Sequence, residues 1–127
     1  MTKDELIAKL EAATGPLDNP TVAEILATVR GKQIRSWSIA TGDAGEDEMQ
    51  IYCTDGTVIR CSEFDYPDRS IDAALALVPD DHDPEIKRAK HRKGWRVNLW
   101  QADGIGQSGD APTAPLAICI AALRARP

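Results

Sequence analysis

The sequence predicts an α+β fold, with a mixed or antiparallel sheet between helices. Two helix-period stretches open the chain, strand-period stretches around an Asp-Gly turn follow, and the most continuously apolar run comes late with helical spacing. Helices grouped before and after a run of strands are the α+β pattern. Read along the chain, the predicted order is α-α-β-β-β-α-β-α.

The first helix is announced by Thr2-Lys3-Asp4-Glu5, a capping box with a Glu three residues after a Thr cap. Leu6, Leu10 and Ala13 form its apolar stripe, and Gly15-Pro16 closes it. Asn19-Pro20 is a second start signal, a cap followed by Pro at the first helical position. Val22, Ile25, Leu26 and Val29 then share one helical face, which ends at Gly31.

The period changes to two over residues 34–40 and 49–62, with Asp55-Gly56 as the strongest hairpin signal in the chain. A two-residue loop there sets Cys53 opposite Val58, Ile51 opposite Arg60 and Gln50 opposite Cys61. That register makes both faces apolar, which predicts a sheet covered on both sides. It also puts Cys53 and Cys61 on opposite faces, so no disulfide and no shared metal is expected between them. The Gly-containing acidic stretch 42–48 reads as a solvated loop.

Ser70 caps a predicted helix over 71–78, where Ile71, Ala74, Leu75 and Val78 share a face and Pro79 stops it. Residues 80–93 turn from acidic to basic without any apolar period and read as a solvated insertion. Trp95 to Trp100 reads as a strand, with Trp95, Val97 and Leu99 on one face and Arg96, Asn98 and Trp100 on the other. Residues 104–109 read as a flexible Gly-rich turn. The apolar run 111–126 is a sealing helix: Thr113 caps it, Pro115 sits in its first turn, and Leu116, Cys119, Ile120 and Leu123 share a face. Arg124 and Arg126 suit the negative end of its dipole. At about a dozen residues it is too short to span a bilayer.

The 127 residues are a single-domain length, divided into a helical N-terminal segment over residues 2–30, a hairpin unit over 32–64 and a helix-strand-helix core over 70–126. The net charge of −5 argues against general nucleic-acid binding. Its distribution is uneven: residues 1–79 hold 7 Lys/Arg against 14 Asp/Glu, whereas residues 80–96 hold 6 against 4. Three cysteines, an odd number, and no apolar segment at the start lead us to expect a reducing cytoplasm and no membrane association.

Gly104-Ile105-Gly106-Gln107-Ser108-Gly109 matches G-x-G-x-x-G, but Pro112 and Pro115 delay the helix past the glycines and no ribose-binding acid follows. His82, His91 and the cysteines lack metal-ligand spacing. Ser62, Ser70 and Ser108 have no His nearby in the sequence. No metal, no cofactor and no enzymatic reaction are therefore expected. The best constellation for chemistry is Lys87, Arg88, Lys90, Arg92 and Lys93 with Trp95 and Arg96, because cations interleaved with an aromatic can hold phosphates and stack a base. The competing reading is a solvated loop whose cations face Asp80, Asp81, Asp83 and Glu85.

Three stretches carry a family resemblance. Ser70-Ile-Asp-Ala-Ala-Leu-Ala-Leu-Val-Pro79, then Gly94-Trp95, then residues 111–126 resemble the phage ABA sandwich domain, a family of small phage and prophage proteins of unknown function. The opening fifteen residues also resemble that family's usual start. The resemblance covers roughly 40 residues and implies a three-layer α/β/α sandwich, with a mostly antiparallel sheet and helices on both sides, and a phage origin; it implies no catalytic residues. Two departures stand out: the link from Pro79 to Gly94 is longer than the family's, and residues 34–64 form an added hairpin unit. The run from Ile51 through Asp55-Gly56-Thr57 to Ile59 is loosely similar to small phage proteins that sequester immune signalling nucleotides. The expectation is thus a non-enzymatic phage accessory protein in the host cytoplasm, antagonising antiviral defence. It would bind a host defence protein, in anti-CRISPR style, or sequester a small anionic nucleotide, as a homo-oligomer if the basic pocket is shared. The alternative is a structural or assembly protein of the phage particle.

Overall fold

The computed structural model describes residues 1–89 and 94–126. Its elements are α1 (Lys3–Glu11), α2 (Asn19–Thr28), β1 (Ile34–Thr41), β2 (Asp47–Cys53), β3 (Val58–Ser62), a 3₁₀ turn (Glu63–Asp65), α3 (Ile71–Leu75), β4 (Asp83–Arg88), β5 (Trp95–Trp100), β6 (Gly106–Ala111) and α4 (Ala114–Ala125). The fold is α+β, and among the described residues its strands form two antiparallel three-stranded sheets, β1-β2-β3 and β4-β5-β6.

The helix starts follow local chemistry. Thr2 Oγ1 accepts the Glu5 N–H at 3.1 Å, as the capping box requires. At α2 the cap is Asp18 rather than Asn19: its Oδ1 accepts the Thr21 N–H at 3.0 Å and the Thr21 hydroxyl, so the start lies one residue earlier than the Asn-Pro signal places it. These bonds hold the Asp18 carboxyl below its ordinary value. Ser70 caps α3 through the Ala73 N–H at 3.2 Å. The helix then tightens into single turns through Val78, and Ala74 and Leu77 are buried. The helical period puts Ile71 on the apolar face, but at the first position of the helix it is exposed.

The first sheet corrects the hairpin register. Its turn has three loop residues, Thr54, Asp55 and Gly56. The Cys53 N–H donates to Thr57 O at 2.9 Å, the Gly56 N–H to Cys53 O at 3.1 Å, and the Thr57 N–H to Asp55 Oδ1 at 2.9 Å. Gly56 takes φ 87°, the left-handed position of a bulged hairpin. One extra loop residue slips the register by one, so Ile51 faces Ile59, Met49 faces Cys61 and Tyr52 faces Val58. One face is therefore apolar and buried, through Met49, Ile51, Cys53, Ile59 and Cys61. The other carries Glu48, Gln50 and Arg60, with Val58 exposed. The sheet is not apolar on both sides, and Cys53 and Cys61 share a face. Cys61 opposes Met49, four residues before Cys53, roughly 13 Å along the strand, and both thiols are free.

The second sheet contains two strands that hydrophobic patterning assigns to loop or turn. Residues 83–88 pair with β5, and residues 106–111 pair with its other edge. A second bulged turn joins β5 to β6. The Gln101 N–H donates to Ile105 O and the Gly104 N–H to Gln101 O, both at 2.9 Å; the Ile105 N–H reaches Asp103 Oδ1, and Gly104 takes φ 83°. Helix α4 packs on β5 and β6 and also touches α1, α2 and α3. Every residue from Leu116 to Leu123 is buried, as expected of a sealing helix. The approach of α4 to the sheet depends on Gly109, where a Cβ would lie 2.4 Å from Ala117 O and 2.8 Å from Ala121 N.

One cluster of buried apolar side chains, from Leu6 to Leu123, joins both sheets to the helices. A polar clamp fastens the α1–α2 link to the approach to α3. Buried Asp68 accepts the Leu17 N–H at 2.8 Å, and Arg69 Nη2 donates back to Leu17 O at 3.1 Å. Among the described residues, no helix is long and apolar enough to cross a membrane.

Candidate functional site

The second sheet positions the described members of the basic constellation. Lys90, Arg92 and Lys93 lie outside the described residues, as does His91. Lys87 and Arg88 end β4, while Trp95 and Arg96 begin β5. In the register Lys87 faces Arg96 and Arg88 faces Trp95, and successive residues point to opposite faces. The four therefore divide into two pairs on opposite sides of the sheet.

On the side that packs α4, the Arg88 guanidinium lies 4.6 Å from the centre of the half-buried Trp95 ring, a cation–π distance. On the outer side, cations are matched by acids. Arg96 grips Asp110 with two parallel hydrogen bonds, Nε to Oδ1 at 2.9 Å and Nη2 to Oδ2 at 3.0 Å. Lys87 pairs with Glu85 at 3.4 Å, and Asn98 donates to the same carboxylate at 2.9 Å. Those two contacts, the Asn98 bond foremost, hold the Glu85 carboxyl below its usual value.

The outer face has three cross-strand rows: Lys87–Arg96–Asp110, Glu85–Asn98–Ser108 and Asp83–Trp100–Gly106. Trp100 closes the last row at 42% exposure, and its ring occupies the space a Cβ at Gly106 would need. Sequence reasoning misses Asn98, Ser108, Asp110 and Trp100 as site residues because their face exists only once β4 and β6 flank β5. The signal available was Asp103-Gly104, the same turn dipeptide as Asp55-Gly56.

β4 is an edge strand. The Ala89 N–H points to Gly94 O, at the start of β5, so by alternation Pro84, Ile86 and Arg88 turn their backbone N–H positions outward. Pro84 has no N–H to offer there, which blunts pairing with another chain.

Reactive groups outside this sheet are muted. Burial first, then nearby Asp65, pushes the Cys61 thiol up to about 11, and burial pushes the Cys119 thiol higher still. His82 Nδ1 lies 2.8 Å from Asp81 Oδ1, in a pair remote in sequence from every cysteine. Among the described residues, no group of three or more His, Cys, Asp or Glu is placed to hold a metal ion. A comparison with protein-family models and a search of curated proteins each find no match to this chain.

Proposed function

We propose that this chain is a phage- or prophage-encoded accessory protein that acts by binding, and that it antagonises host antiviral defence by occupying a defence protein. The observation that carries the binding reading is the outer face of the second sheet. It presents both signs of charge in fixed cross-strand rows, and an exposed indole stands at one end. Pre-paired charges with an aromatic anchor suit a protein surface better than a lone anion, because arginine and tryptophan carry much of the energy at protein interfaces. The phage origin and the host cytoplasm as site of action come from the resemblance of residues 70–79, 94–95 and 111–126.

A second reading, sequestration of a small anionic nucleotide, is favoured by Arg88 over Trp95, a cation beside a flat ring at the start of the basic segment. One experiment separates the two. Wild-type protein, Trp100→Ala and Arg88→Glu are used to capture partners from host lysate, with mass spectrometry of retained proteins and small molecules. Under the main reading, Trp100→Ala loses a host protein that Arg88→Glu keeps. Loss of an anionic small molecule with Arg88→Glu would instead select the nucleotide, and retention of nothing specific by wild type would refute both.

A further inference from the structure

A cleft of about 350 Å³ opens between α2, β3, the 3₁₀ turn and α3, elements that take no part in the second sheet. Four charged residues from four places in the chain line it: Arg30 follows α2, Asp65 ends the 3₁₀ turn, Asp72 lies on α3, and Arg60 belongs to β3, an end strand of its sheet, where a residue of the outer face can border the cleft beside Cys61. No ion pair joins either arginine to either aspartate among the described residues. Arg30 Nη1 donates to Leu26 O at 2.9 Å, which fixes the side chain against its own helix end.

We propose that this cleft binds a small zwitterion of dipeptide size, its carboxylate held by Arg30 and Arg60 and its ammonium by Asp65 and Asp72. The lining holds two charges of each sign, which suits a ligand bearing both, whereas a simple anion or a simple cation would meet two groups of its own sign. The size agrees as well. A two-residue peptide spans at most about 7 Å, close to the cube root of the cleft volume, and small-molecule sites begin at about 300 Å³.

The floor is apolar. Leu26 and Leu77 are buried there, and α3 and its last turn contribute Ala73 and Ala76, whose small side chains leave the space open. The Cys61 thiol, which donates to Asp65 O at 3.4 Å, stays protonated and adds an apolar surface instead of a nucleophile.

The test is an amide NMR titration with leucyl-alanine in four forms: free ends, N-acetylated, C-amidated, and blocked at both ends. The free peptide should shift the Ser62, Ala73 and Ala76 amides saturably, and blocking either end should weaken binding by about tenfold, the loss of one charge-assisted hydrogen bond. In Arg60→Gln the penalty for amidation should shrink, Arg30 remaining, and in Asp72→Asn the penalty for acetylation should shrink, Asp65 remaining. Both residues are exposed, so the folded spectrum should be kept; the wild-type comparison of the four peptides stands even without the variants. Absence of saturable shifts with the free peptide, or equal binding of the doubly blocked form, would overturn the proposal. Blocking penalties unchanged in both variants would overturn the assignment of the poles.

Discussion

The two sheets turn their central hairpins with the same device and fill the space beneath them in opposite ways. In each, an Asp side chain accepts the N–H two residues on and a Gly follows at positive φ, 87° at Gly56 and 83° at Gly104. Under the first hairpin the gap is filled by the strands' own side chains, Met49, Ile51, Ile59 and Cys61. Under the second, β6 contributes Gly109 and Ala111, and the helix backbone of α4 comes in where side chains would have stood. A turn motif thus sets register, while the residue sizes on the flanking strands decide how closely a helix backbone can approach the sheet.

The largest break in that comparison should come from the helix. Ile120→Ala, at a fully buried position, should cost about 2–5 kcal/mol in urea unfolding, because α4 supplies most of the bulk on its side. A loss below about 1 kcal/mol would show that α4 does not fill the core. Gly109→Ala comes next, at about 1–3 kcal/mol, since the new Cβ meets helix backbone that cannot yield as a flexible side chain could. No glycine lies within β1, β2 or β3, so the first sheet has no equivalent weak point.

The turns themselves should behave alike. Gly56→Ala and Gly104→Ala each place a side chain at positive φ with nothing within 4 Å of it. Each should cost about 1–2 kcal/mol from backbone strain alone. Unequal thermal midpoints for the two variants would show that the turns are not the same device.

The smallest effect distinguishes the turns by charge. Lys32 Nζ lies 2.6 Å from Asp55 Oδ2, whereas Asp103 has no lysine partner among the described residues. The Lys32 bond, then the Thr57 N–H, hold the Asp55 carboxyl well below its ordinary 3.8, and Asp55 in turn raises Lys32 above 10.5. A depressed acid contributes stability that is full above its unfolded value and is lost as pH falls through the folded one. A raised lysine contributes below its unfolded value and loses that contribution as pH rises through the folded one. The pair should therefore act between those limits, weakly because both groups are exposed and screened. Lys32→Met should move the Asp55 carboxyl resonance titration upward; an unmoved titration would remove the pair from the account.

Hydrophobic period makes much of this architecture legible. The helix starts near residues 2, 19 and 70 are readable because caps are local chemistry, and α4 because its apolar run is unbroken. Thr113 stands at the N-cap position of α4 but makes no side-chain cap bond, contrary to the capping role read from the sequence. β6 is unreadable by the same rule: Gly-Gln-Ser-Gly-Asp has no apolar alternation, because its buried positions need absence of bulk. β4 is hidden because an exposed edge strand buries neither face, so Asp-Pro-Glu-Ile-Lys-Arg leaves no pattern. The basic cluster is legible as composition, but its division between two faces depends on a pairing register that composition does not encode. The charges of the cleft, at positions 30, 60, 65 and 72, share no spacing; only the fold assembles them.

The burial of α4 also has a consequence for vectorial synthesis. Among the described residues, every element that packs on this helix precedes it in the chain, α1 by about a hundred positions. While the ribosome is still translating residues 114–125, the apolar sides of α1 and α2 have emerged without their common partner. The nascent chain therefore holds uncovered aliphatic surface until nearly all of the described sequence is out, a state in which holdase chaperones compete with self-association. Slowed translation just before codon 114 should lower soluble yield, whereas slowing within the first hairpin, whose side chains cover one another locally, should matter less.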